Sequence, residues 1–114
     1  MRLLSYKLRF RDRHVRAVPA GVTGPGVDLR GADADAALAA ARPIVAWLEE
    51  REPGIEVRSI SVNAKRVLVS LESTPRPRVL RFDPPSANEL RDAGAAAERI
   101  IADACERTLA RRAC

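Results

Sequence analysis

From residue 4 to residue 11 apolar and polar side chains alternate without a break. Leu4, Tyr6, Leu8 and Phe10 take one parity, and Ser5, Lys7, Arg9 and Arg11 take the other. A period of two is that of a β-strand with one face against a core and one toward solvent. The pattern predicts a first strand over residues 2–11. Asp12-Arg13 can serve as a two-residue turn, although it lacks the glycine that such turns favour. His14 to Val18 then returns antiparallel. That register pairs Phe10 with Val15 and Leu8 with Ala17 on the buried face. On the other face it sets Arg9 opposite Arg16 and Arg11 opposite His14.

Pro19-Ala20-Gly21-Val22-Thr23-Gly24-Pro25-Gly26 interrupts both periods and predicts a flexible connection over residues 19–32. Within it, Val27 to Leu29 could add a short edge strand. Asp33 or Asp35 is placed to cap a helix running toward Arg51. Leu38, Ala41, Val45 and Leu48 form its apolar stripe, which Ile44 and Trp47 widen. Pro43 should kink or divide this helix, because its ring clashes with the preceding turn. Pro53-Gly54 ends it.

Residues 55–63 and 66–72 read as a second hairpin turning near Ala64-Lys65, with Val62 opposite Val67 and Ile60 opposite Val69. Arg78 to Phe82 reads as a last strand, closed by Pro84-Pro85. Ser86 and Glu89 then have capping-box spacing, and open a helix through Leu90, Ala93, Ala97, Ile100, Ile101 and Ala104 to about Arg112. Asp103 and Arg107 form a correctly oriented pair four residues apart, and Gly94 weakens this helix's interior.

The element order ββαβββα predicts an α+β domain over residues 1–114. It is a two-layer sandwich of an antiparallel or mixed sheet of about five strands, with two helices packed on one face. Lys7, Arg9, Arg11, Arg16, Ser59, Ser61 and Ser70 are expected on the other face. Setting aside the first return strand, the order resembles in layout that of ribosome-associated hibernation factors; no residue is carried over from that likeness.

Charge sharpens this picture. Of the 114 residues, the first twenty hold six Lys/Arg against Asp12 alone and so carry the whole net charge of +5. An excess confined to one strand pair points to a binding face for acidic partners. Aromatic residues are only 4% of the chain, which leaves little for base stacking. The core is therefore aliphatic and alanine-rich, with Trp47 as its large anchor, and self-association as a homodimer is an open expectation. No apolar signal core and no membrane-length run is visible, so a cytoplasmic location and no membrane contact are expected. Cys105 and Cys114 lie about 13 Å apart along a continuous helix, too far for a bridge.

Four groups of side chains are candidates for chemistry. The basic hairpin offers Lys7, Arg9, Arg11, Arg13 and Arg16 as partner-binding residues. Glu49, Glu50 and Glu52 could neutralise them internally. The loop Gly21-x-x-Gly24-x-Gly26 lacks the lysine and the adjoining helix start of a phosphate loop, and Asp28, Asp33 and Asp35 oppose an anion there. His14, the one histidine, would need Ser61, Ser70 or Cys105 to converge on it for nucleophilic catalysis, and zinc would need further ligands. No catalytic residue, cofactor or metal is assigned. The expected function is a small non-catalytic interaction module, an accessory or adaptor protein docking an acidic protein surface through the basic hairpin. An RNA- or DNA-binding protein using the same face is the alternative. A small enzyme with His14 in its site is the third reading.

Overall fold

The sheet is built outward from β1 (Leu3–Arg9), which pairs with β2 (His14–Pro19) on one side and β4 (Glu56–Asn63) on the other. β3 (Val27–Leu29) extends the β2 side, and β5 (Val67–Glu72) and β6 (Arg78–Phe82) extend the β4 side. The order is β3-β2-β1-β4-β5-β6, antiparallel at every pair. The helices are α1 (Ala32–Ala40), α2 (Arg42–Arg51) and α3 (Asn88–Ala113). This computed structural model describes residues 2–63, 66–72, 78–82 and 88–113. The expected turn at Ala64-Lys65, Pro84-Pro85, Ser86 of the capping box and Cys114 lie outside the described residues.

The α+β class stands, with six strands instead of five and three helices instead of two. The extra strand is β3, whose three residues pair with β2 through Val15 and Leu29, Arg16 and Asp28, and Ala17 and Val27. The extra helix comes from dividing the first one at Ala41, whose N–H still donates to the Ala37 carbonyl while its own carbonyl accepts from Ile44. Pro43 then stands in the first turn of α2, where its missing N–H costs no hydrogen bond. Asp33 and Asp35 do not cap α1. They lie inside its first turn, after Gly31 in a positive-φ conformation. There they meet cations: Arg107 of α3 reaches Asp33 at 2.9 Å, instead of the expected Asp103, and Arg13 reaches Asp35 at 3.2 Å.

One face of the sheet is packed. Leu8, Val15, Ala17, Ile60 and Val69 are fully buried in a single core with Ala34, Ala37, Ile44, Leu48, Ala97, Ile101 and Cys105 of the helices. α3 packs against both α1 and α2. Its alanines let the backbones approach closely where larger residues would hold them apart. Tyr6 reaches across this layer to donate a hydrogen bond to the Gly94 carbonyl at 3.0 Å. Burial pushes the Tyr6 phenol well above its ordinary pKa, and the Glu98 carboxylate acts in the same direction. Trp47 is half-buried at the edge of the core, with the Arg51 guanidinium 3.6 Å over its ring centroid.

The first hairpin keeps its faces but not its register. Leu8 is opposite Val15, Tyr6 opposite Ala17 and Lys7 opposite Arg16, two residues away from the expected pairing. Residues 10–13 form the turn, and Arg13 takes φ 50°, the one non-glycine positive φ among the described residues. Asp12-Arg13 could not supply two positive-φ positions at the cost acceptable to a two-residue turn, so the loop widens. A slip of two preserves parity, which is why the packed face is unchanged. At the strand's start the register shifts between Leu3 and Ser5. Leu3 enters the core and Leu4 is 56% exposed, the reverse of the expected alternation. The second hairpin has the expected pairs, Val62 with Val67 and Ile60 with Val69.

Candidate functional site

The unpacked face carries the polar parity of the strands. Register aligns two neighbouring rows across it: Arg16, Lys7, Ser61 and Leu68 in one, and Arg9, Ser59, Ser70 and Val79 in the other. Between them lies a shallow groove of about 640 Å³. Among the described residues Lys7, Arg9, Arg11 and Arg58 supply its cations and Asp12 its one carboxylate. Ser59, Ser61 and Ser70 form its polar floor, and Leu68 and Val79 its apolar end. Among the described residues no aromatic ring lines it.

Arg58 escaped the pattern of alternation, which assigns it to the same parity as the buried Ile60. A register shift between Val57 and Ser59 instead puts Arg58 beside Ser59 on the open face. The signal was available in sequence. An arginine on the apolar parity of a half-buried strand calls for a bulge, and Val57 and Ile60, both buried, are three residues apart.

The five expected partner-binding residues are not all together. Lys7, Arg9 and Arg11 line the groove, and Arg9 is ion-paired with Asp12 on its rim. Arg16 stands opposite Lys7 and shares with it a smaller adjoining depression. Its guanidinium is turned outward along the sheet, where Nε donates to the Pro25 carbonyl at 3.0 Å. Arg13 leaves the face altogether for Asp35 of α1. Among the described ion pairs, Asp12 neutralises Arg9 and Asp35 neutralises Arg13. Of the suspected acidic cluster, Glu52 pairs with Arg78 at 3.2 Å.

Lys7 and Arg16 are like charges directly opposite one another, a mildly unfavourable arrangement that an anion relieves. The expected clash involved Arg9 and Arg16; the register slip moves it to Lys7. His14 lies on the same face at the end of β2 but is only 6% exposed and does not line the groove. Its Nε2 is 3.2 Å from Asp28 Oδ1, without the alignment of a hydrogen bond. Cys105 is buried in α3, where burial raises its thiol pKa. Among the described residues no group of three or more His, Cys, Asp or Glu is placed to hold a metal ion. No described helix is long and apolar enough to cross a membrane.

The arrangement can attract, orient and hydrogen-bond an anionic group. Compared with protein-family models, curated proteins and solved structures, the chain finds no match in any of the three.

Proposed function

We propose that this protein is an interaction module that docks an acidic protein surface in the groove of its open sheet face. One observation carries the reading: among the described residues four cations converge on a concave surface with a single carboxylate among them. Lys7 supplies the central charge, with no ion-pair partner among the described residues. Arg11 and Arg58 flank it, and Arg9 is available at the cost of its exposed pair with Asp12, worth well under about 1 kcal/mol. A nucleic acid would be drawn by the same charges, but the described residues of the groove offer its bases aliphatic and hydroxyl side chains in place of rings.

The test is a pull-down from lysate, with and without nuclease, comparing the wild type with Lys7→Glu/Arg9→Glu/Arg11→Glu. Protein partners that survive nuclease and disappear with the triple variant are expected. An unchanged partner list removes the groove as the docking site. Partners that vanish with nuclease favour the nucleic-acid alternative, which also predicts a steep salt dependence, about one log-log unit per phosphate contacted.

A further inference from the structure

Resting on that docking reading, the groove has a composition that narrows the class of partner. Its floor is made of hydroxyls, and no hydrogen bond from Ser59, Ser61 or Ser70 side chains is made among the described residues. They are uncommitted donors beside the charges of Lys7 and Arg58. A carboxylate offers two acceptor oxygens and one negative charge. A phosphate monoester offers three oxygens and close to two charges, and so matches a site that combines several hydroxyls with several cations.

The second element is apolar. Val79, on the edge strand β6, is 65% exposed, and Leu68 lies beside it on β5. Neither serves an anion. Both sit at the end of the groove away from β1. Register places Arg9, Ser59, Ser70 and Val79 in one line across β1, β4, β5 and β6. Three strand spacings separate the cationic end from the apolar end, about 14 Å at ~4.8 Å each. An extended chain covers that distance in about four residues at ~3.4 Å per residue.

We infer that the groove takes a phosphorylated segment of a partner protein, crossing the strands with its phosphate at the β1 end beside Lys7 and an apolar side chain about four residues away on Val79 of β6. Lys7 and Arg58 contribute charge, Ser59 and Ser61 donate hydrogen bonds, and the apolar contact sets the spacing.

Fluorescence anisotropy with short labelled peptides tests this. The probes are an acidic peptide with one serine and a leucine four positions away, its phosphoserine form, the phosphoserine form with leucine replaced by alanine, and a single-stranded RNA of similar length. Both chain directions of the leucine spacing are included. Phosphorylation is expected to tighten binding about tenfold, the scale of one added charged hydrogen bond. Removing the leucine should weaken it about fivefold. Ser59→Ala/Ser61→Ala should abolish most of the phosphate preference, read as the ratio of affinities for the phosphorylated and unmodified peptides.

Equal affinity for the phosphorylated and unmodified peptides overturns the inference and leaves acidic docking intact. Phosphate preference without dependence on the leucine overturns the crossing geometry. RNA bound more tightly than any peptide, or no binding of any acidic peptide, overturns the inference and the docking reading together.

Discussion

Two adjacent rows of the same sheet differ in almost every respect. Val15, Leu8, Ile60 and Val69 run side by side across β2, β1, β4 and β5, each fully buried. One residue along, Arg16, Lys7, Ser61 and Leu68 run across the same four strands on the other face. Each member of the first row contributes about 1.5–3 kcal/mol through burial of its side chain. The second row sets Lys7 against Arg16, which costs only a few tenths of that, on the order of 0.2–1 kcal/mol. The packed face thus has ample surplus to carry an unfavourable one. The like-charge pair of Lys7 and Arg16 is therefore not required by packing.

That contrast can be broken in a graded way. Leu8→Ala opens a cavity where the side chain has no exposure, and a loss of about 3 kcal/mol is expected in urea titration. Ser61→Ala, opposite Lys7, should change stability by less than about 0.5 kcal/mol. Similar values for the two would mean that the faces are not energetically distinct.

Alkaline pH probes the packed side through Tyr6. Its folded pKa is raised from 10.0, so above that pH the native state holds a proton that the unfolded chain releases. The associated stability is fully present below pH 10.0 and is lost as pH rises beyond it. Tyr6→Phe should lower stability near neutral pH by removing the bond to Gly94, yet flatten the alkaline decline. Cys105, shifted in the same direction by burial, leaves a residual slope. A decline of equal steepness in Tyr6→Phe would remove the phenol as its source.

Gly26 serves both faces at once. It has φ 96°, and a Cβ there would lie 2.5 Å from the Ala17 carbonyl oxygen. Gly26→Ala should cost about 2 kcal/mol and raise hydrogen exchange across β3, which carries Val27 and Leu29 inward and Asp28 outward. Unchanged protection of β3 would show that its docking does not depend on that close approach. The smallest effect is the most diagnostic. Lys7→Thr removes the like-charge pair and should stabilise the fold by about 0.3 kcal/mol while weakening binding of acidic ligands. A variant that loses stability there would show that the charge is structural.

In the second hairpin the pairs Val62 with Val67 and Ile60 with Val69 were legible, because a slip of one position would turn them off the packed face; the shift between Val57 and Ser59 was not. The division of the helix at Pro43 and the short strand at Val27–Leu29 were legible too, from the missing N–H of proline and from punctuation by glycine. The first hairpin was legible in its faces alone. Leu8 can meet Val15 or Ala17 with equal apolar logic, and only the turn decides between them. Lys7, Arg9 and Arg11 could be placed in the site from alternation. Arg58 could not without anticipating a bulge, and Arg13 could not because its partner Asp35 is distant in sequence and near only after folding.

Arg16 ties the connection after β2 to the sheet by donating to the Pro25 carbonyl. An anion that recruited this guanidinium would have to break that tether. Occupancy of the face and protection of residues 20–26 from proteolysis are then thermodynamically linked, and the linkage is reciprocal: severing the connection should raise affinity by the same factor that a ligand loosens it.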